Sequence, residues 1–447
     1  MLSSSPADPS VDFGKTGDAD RHLVRAIGRW TLTALVLNGV IGSGIFGLPG
    51  AVAKLVGPTA PLAYVLAALA IGVLTVSFAE VGSQFRETGG QYLYARHAFG
   101  RFAGVQIGWF TLLVRLTSAG AVINLFVNYL AEFWPAATTP VARAAVMFAI
   151  VGGLAFVNCR GVRPGAGLSN FFIVTKLASL IGFVIAGMIL MKHVAPLPLA
   201  EPATAGDWTD ALLILVFAFG GFETALIPAA ETRNPQHDAP FALGVGLVTV
   251  AIVYLAIHFV TMWSVPDLAN STRPLADAAR AFAGPTGAVV MALAALLSAF
   301  GWLSGAFVAV PRLIFAMAEQ RDFPVWFAAI HKRFRSPHLA VLLWAVLVLA
   351  LGIYGSFIWN AVLAAVARLA TYASTCGALI QLRRREPDAI AWRAPAGNLL
   401  AVLGIAFCGV LALRMTASHF AILAVVGAIA TINWLVVRHR RKQTSPL

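Results

Sequence analysis

The chain has 447 residues, 59% of them hydrophobic and 11% charged, against about 25% charged in an ordinary soluble domain. So little charge excludes a water-soluble domain of this size, and the three cysteines, Cys159, Cys376 and Cys408, have neither metal-ligand spacing nor the even number of a disulfide framework. The formal charge of +13 does not point to nucleic acid, because the basic residues stand between long apolar runs; the class is a multi-spanning membrane protein.

In chain order, residues 1–29 are polar and hold Asp8, Asp12, Asp18 and Asp20. They read as a solvated tail rather than a signal peptide, since no apolar stretch begins before Trp30. Runs long enough to cross a bilayer, about 20 residues each, follow at 30–56, 60–82, 102–134, 140–158, 167–192, 209–231, 240–265, 286–318, 338–356, 358–381, 397–415 and 419–437. Only Gly355, Ser356 and Phe357 separate the ninth run from the tenth. Arginine and lysine concentrate in alternate loops, among them Arg86, Arg96, Arg101, Arg383, Arg384, Arg385 and the terminal cluster Arg438 to Lys442. The opposite ends carry Lys54, Arg143, Lys192, Arg273 and Arg280. The positive-inside rule then puts both termini in the cytoplasm of an inner or plasma membrane protein. The terminal cluster reads as a topology anchor touching anionic lipid.

Two runs are poor material for a continuous helix. The first reads Leu37-Asn38-Gly39-Val40-Ile41-Gly42-Ser43-Gly44-Ile45-Phe46-Gly47-Leu48-Pro49-Gly50, and the sixth has Gly220-Gly221 near its middle. Each glycine costs about 1 kcal/mol in a helix interior. Interrupted segments in corresponding positions of two halves point to a transporter binding site. The breaks lie five runs apart, in the first and the sixth, and five is odd, so the second unit enters the membrane from the opposite side. This predicts an all-α fold of about twelve helices: a first repeat at 30–192, an inverted second repeat at 209–381, two further helices at 397–437 and a tail at 438–447. The competing reading is that the glycines serve only close helix packing.

A helix unwound in mid-membrane offers free N–H groups on one side and free C=O groups on the other. An amino acid carries both complementary charges on one carbon. The carboxylate is assigned to the N–H groups of Ser43, Gly44 and Ile45 with the Ser43 hydroxyl, and the ammonium to the carbonyls of Val40, Phe217 and Gly220. Ile41 and Gly42 form the bend. Phe219, Phe222 and Ala119 are taken as apolar lining, which favours a neutral, apolar substrate over a cationic one.

The strings IGSGIF in the first run, ETGGQYLYARHAFG after the second, a lysine in the fifth and GFETALIPAAETRNP in the sixth resemble the amino acid–polyamine–organocation transporters. The resemblance covers nearly the whole set of runs. It implies a LeuT-like fold with five-plus-five inverted repeats, alternating access and a site at the unwound first and sixth helices. It also implies an aromatic gate at Phe217, with Phe222 beside it, and a gate-associated interfacial helix near residues 87–96. Lys176 would take the place of a sodium ion and hold the first helix, with Ser298 and Ser304 as candidate partners. Read from its position alone, Lys176 could instead snorkel to the cytoplasmic edge.

Other charges fall inside the runs. Glu223 follows the second break and is either a proton carrier or an acceptor for exposed backbone. Glu80 reads as structural. Arg115 and Arg368 lie near mid-membrane and need a carboxylate, carbonyls or water, with Glu80 and Glu223 as available partners. Arg312 and Arg414, nearer the ends, read as snorkelling. The expected function is secondary transport of amino acids, sodium-independent, with proton symport through Glu223 or Lys176. The alternatives are obligate exchange, including of cationic substrates, and an ion channel. An enzyme is disfavoured because His258 stands without a metal motif or nucleophile partner, and an ATP-driven pump because no phosphate-binding loop is present. No cofactor or metal is expected. The partners are substrate, protons and membrane lipid, with a homodimer left open.

Overall fold

In hydrocarbon every backbone N–H and C=O must be satisfied within the protein, and the chain does this with helices. The computed structural model describes residues 27–85, 87, 89–161, 166–191, 202–387 and 392–444. The tail 1–26 and the side chains of the terminal basic residues beyond Arg438 lie outside the described residues. The helices are α1 (Arg29–Val40), α2 (Ser43–Val56), α3 (Ala60–Gln84), α4 (Gln91–Phe99), α5 (Arg101–Leu130), α6 (Pro140–Cys159), α7 (Ala166–Leu190), α8 (Ala205–Phe219), α9 (Pro235–Ser264), α10 (Pro274–Glu319), α11 (His338–Tyr354), α12 (Phe357–Arg385), α13 (Gly397–Ala412) and α14 (Ala417–Thr444). Among the described residues there is no sheet, only one parallel bridge between Ile27 and Thr232.

Among the described residues nine helical segments are long and apolar enough to cross a membrane, and α11 and α13 are shorter apolar helices. One of the nine, Ser43–Gln84, contains a turn at Gly57–Thr59 that separates the end of the first apolar run from the second. The boundary between the ninth and tenth runs falls where Gly355 and Ser356 predict it. Ser356 caps α12 by accepting from the Trp359 N–H at 3.2 Å. Arg143 holds this corner by donating to the carbonyls of Gly352 and Gly355 at 3.0 and 2.7 Å. Two features depart from the predicted runs. The eighth is preceded by an extra helical stretch from Pro274, joined through Gly284 at φ +69°. The sixth does not resume as an α-helix after its break; it continues as 3₁₀ turns at Phe222–Leu226 and Ala229–Glu231.

Helices pack with partners far along the chain: α2 on α8, α3 on α9, α5 on α10 and α12, α6 on α11, and α1 on the Phe222–Leu226 turn. The Ile27 and Thr232 neighbourhoods are tied by Ile27 N–H to Glu231 O at 3.0 Å and Arg233 N–H to Ile27 O at 2.9 Å. The approach to the first break and the end of the second are thereby joined.

The polar loop after α3 forms a helix, α4, as its Tyr and Arg pattern predicts. Tyr92 donates to Asp322 Oδ2 at 2.6 Å, Arg101 pairs with Asp322 at 2.5 Å, and Gln91 reaches Thr371 on α12 at 3.2 Å. Burial, reinforced by the Asp322 carboxylate, pushes the Tyr92 phenol up to about 12, so it stays a donor. These bonds tie α4 to the end of α10 and to α12.

Candidate functional site

Helix α1 ends at Val40. Ile41 (φ −71°, ψ 90°) and Gly42 (φ −128°, ψ −146°) leave helical geometry, and α2 begins at Ser43. The first turn of α2 has no side-chain cap and no acidic residue, although Ser43, Gly44 and Ile45 are all buried. The leading N–H groups of a helix have no intrahelical partner. A buried, uncapped helix N-terminus carries a partial positive charge and suits an anion.

The second break mirrors the first. Helix α8 stops at Phe219, Gly220 is extended, and Gly221 adopts φ +114°. The two breaks touch through glycine. A Cβ on Gly39 would lie 2.6 Å from the Gly221 carbonyl oxygen, and one on Gly44 would lie 2.8 Å from Ala218 Cα. Close packing and unwinding, set against each other as readings of the sequence, therefore occur together. Gly39, Gly44 and Gly221 let the segments approach, while Gly42 forms the bend.

Three side chains hold the bent backbone. Lys176, on α7 and 6% exposed, donates to Asn38 O at 3.2 Å, Asn38 Oδ1 at 2.9 Å and Ile41 O at 2.5 Å. It is turned inward rather than snorkelling, and its hydrogens go to Asn38 and Ile41 rather than to Ser298 or Ser304. The Tyr254 hydroxyl lies 2.9 Å from Val40 O and 3.2 Å from Ala218 O, so one group serves both broken helices. Glu223 Oε2 accepts from the Gly221 N–H at 2.8 Å and from the Tyr372 hydroxyl at 3.1 Å. Its other oxygen lies 3.5 Å from Arg368 Nε. Sequence reasoning missed Asn38, Tyr254 and Tyr372. No local pattern marks a tyrosine in an apolar run as a backbone donor.

The structure brings Val40, Ile41, Gly42, Ser43, Gly44 and Ile45 together with Phe217, Phe219 and Gly220. It turns some of them away from the role assigned. The Val40 carbonyl already accepts from Tyr254, and the Phe217 carbonyl accepts from the Gly220 N–H at 3.3 Å. Phe219 packs on Tyr254 with ring centroids 5.2 Å apart, and Phe222 sits between Phe78 and Tyr372 at 5.2 and 5.5 Å. Phe217 lies under the Arg368 guanidinium at 5.6 Å and edge-on to Phe357 at 6.3 Å. Among the described residues no cluster of His, Cys, Asp or Glu could hold a metal.

Residues 27–436 match the amino acid permease family. The chain belongs to that family. Its members are transporters, not enzymes, and the permease is a multi-pass membrane protein. It is 28% identical to an uncharacterized transporter of Mycobacterium tuberculosis, over 96% of each chain. It is 24% identical to the branched-chain amino acid permease BcaP of Bacillus subtilis, over 92% of this chain and 93% of that one. It is 28% identical to the serine/threonine exchanger SteT of the same organism, over 72% and 75%.

Charges outside the site of the permease find partners. Glu80, fully buried, forms a two-point pair with Arg383 at 2.6 and 2.7 Å and accepts from the Ala394 N–H at 2.9 Å. Arg414, partly exposed near the end of its run, pairs with Asp210 at 2.7 Å. Arg312 is exposed and returns a hydrogen to the Val308 carbonyl at 2.5 Å.

If the α2 N-terminus holds the substrate carboxylate, Ser43→Ala removes one donor and leaves the backbone N–H groups in place. Loss of one hydrogen bond to a charged group is worth about 1.5–3 kcal/mol. Substrate affinity, read by titration of the purified permease, is expected to fall about ten- to hundred-fold without loss of folding. Unchanged affinity would remove the hydroxyl from the site.

Proposed function

We propose that the permease moves α-amino acids by alternating access, binding the α-carboxylate at the free N–H groups of Ser43, Gly44 and Ile45. The ammonium goes to the open Gly220 carbonyl and its neighbours. The observation that carries this reading is the buried, uncapped N-terminus of α2 set directly against the end of α8. The packing of α2 on α8, α3 on α9, α5 on α10 and α6 on α11 supports two inverted five-helix units within twelve crossings, since the first four runs each meet the run five places later. Both termini then lie in the cytoplasm. Phe217, under Arg368 and beside Phe357, is the gate that covers the substrate, with Phe222 packed behind it.

Lys176 makes transport independent of sodium. Its ammonium spends three N–H bonds on the first break, and no cation is needed to hold those carbonyls. The same count supports proton coupling. A neutral amine has two N–H bonds and would release one acceptor, so the proton on Lys176 is linked to the shape of the break. Glu223 is the weaker proton carrier, because the Gly221 N–H and the Tyr372 hydroxyl already point at its carboxylate. Exchange is the second reading, supported by the relative named as a serine/threonine exchanger.

Uptake into proteoliposomes tests these points. Replacing sodium by potassium or choline is expected to leave the rate unchanged; a strict sodium requirement would sink the Lys176 assignment. Uptake into vesicles without internal amino acid is expected to rise with an inward proton gradient. Entry only when amino acid is present inside would make the protein an exchanger.

A further inference from the structure

Beside the second break, the Arg368 guanidinium faces the Glu223 carboxylate, with Arg115 in electrostatic range of both. Arg368 leans directly on the substrate-side backbone: a Cβ on Gly220 would come within 2.6 Å of its Cζ. Its side chain is 6% exposed, and Nε and Nη1 are buried with no hydrogen-bond partner among the described residues. The 3.5 Å to Glu223 is an ion-pair distance, not a hydrogen bond. Arg115, half-buried on α5, lies within electrostatic reach of both Glu223 and Arg368. The other deeply buried carboxylates of the described residues are engaged elsewhere: Glu80 with Arg383, Asp322 with Arg101, and Glu132 with Arg273 and Arg280.

The charge count decides what fits. Arg115 and Arg368 carry two positive charges and Glu223 one negative. A zwitterionic amino acid with a neutral side chain adds nothing to this sum, and the two guanidinium groups still share a single carboxylate. An uncompensated buried charge is among the costliest features a protein can hold. A cationic side chain makes the sum worse. A carboxylate side chain brings it to zero and supplies acceptors for N–H groups that otherwise have none. The residues expected to make an apolar pocket do not oppose this, because Phe219 and Phe222 are spent on Tyr254, Phe78 and Tyr372.

We propose that Arg368, with Arg115, forms an anionic side-chain subsite, and that the permease selects acidic amino acids of the aspartate and glutamate class. The proposal rests on the reading that the two breaks hold the α-carboxylate and α-ammonium groups. Glu223 is then a positioning residue that sets the Arg368 guanidinium against Gly220.

The test compares near-isosteric substrates. Purified full-length permease is reconstituted, and uptake of labelled glutamate, glutamine, leucine and lysine is measured with cross-competition. Glutamate or aspartate is expected to be taken up at least ten-fold more efficiently than glutamine. Arg368→Gln is expected to cut glutamate uptake at least ten-fold and glutamine uptake much less, so that the preference collapses. Arg115→Gln, which removes a side chain outside the tight Gly220 contact, provides the same comparison should Arg368→Gln not fold; the glutamate preference is again expected to shrink. Saturable uptake of glutamine or leucine that neither glutamate nor aspartate inhibits would overturn the acidic subsite and leave the amino acid reading standing. Equal loss for glutamate and glutamine in a folded arginine variant would also overturn it. No saturable uptake of any amino acid would overturn the binding reading itself, and this proposal with it.

Discussion

Lys176→Met is expected to abolish uptake while leaving a protein that still inserts in the membrane. Methionine keeps much of the length and apolar stem of lysine, so the packing of α7 against α10 is preserved. What is lost is the ammonium that bonds Asn38 O, Asn38 Oδ1 and Ile41 O. Each bond to a charged group is worth about 1.5–3 kcal/mol, and the carbonyls left behind in an apolar interior pay the cost of unmet acceptors. Of the side chains that hold this bend among the described residues, the Tyr254 hydroxyl at Val40 then remains, beside the backbone bond from the Ile41 N–H to Leu37 O. Because the bend orients the N–H groups of Ser43, Gly44 and Ile45, substrate affinity is expected to fall more than ten-fold, a change of about 1.4 kcal/mol or more. Binding by the purified variant and uptake by proteoliposomes check this. Normal affinity in Lys176→Met would show that the bend keeps its shape without the lysine, and the clamp would lose its role.

The sequence made the helices and the breaks legible for one physical reason: both are local. Twenty apolar residues in a row announce a helix in lipid whatever they pack against, and among the described residues nine long apolar helical segments and two shorter ones lie in the predicted runs. Gly39, Gly42, Gly220 and Gly221 announce weak helix at their own positions. Partnerships are not local. Lys176 and Asn38 are separated by 138 positions, and Tyr372 and Glu223 by 149. A single sequence carries no signal that joins them. Glu80 illustrates the limit: its burial was legible from its place in an apolar run, but the choice of Arg383 over Arg115 or Arg368 was set by how α3 and α12 cross. The 3₁₀ course of the chain after Gly221 was only partly legible: Pro228 marks an interruption, but Ala225, Leu226, Ala229 and Ala230 around it are good helix formers. Local side-chain bonds to the backbone compete with the helix there, Glu223 accepting from the Gly221 N–H at 2.8 Å and the Thr224 hydroxyl donating to Gly221 O at 2.7 Å. Arg115 and Arg368 were the opposite case: their oddity was visible at once, and their meaning required the position of Gly220.

Gly221→Ala is expected to lose most transport and to lower the melting temperature, and the two effects have separate causes that add at one atom. The residue sits at φ +114°, outside the regions open to a side chain with a Cβ, and non-glycine residues in such conformations cost on the order of 1–3 kcal/mol. The new methyl would also collide with the carbonyl carbon and oxygen of Gly39 on α1. Neither obstacle is a flexible side chain that can swing away. The relief available is to push α1 from the Phe222–Leu226 turn, which separates the two breaks, pulls the Gly221 N–H off Glu223 and shifts Glu223 away from Arg368. The proposed substrate groups, the Ser43–Ile45 N–H groups and the Gly220 carbonyl, adjoin these contacts, so a displacement of a few tenths of an ångström is expected in affinity as well as in stability. Gly153→Ala is the matched control: it lies within α6, with nothing within 4 Å of an added Cβ, and alanine there is expected to leave uptake unchanged and to favour the helix slightly. Melting and uptake of both variants, measured in the same detergent and vesicles, decide the matter. If Gly221→Ala melts and transports like the parent, the contact between the breaks is not what sets the site.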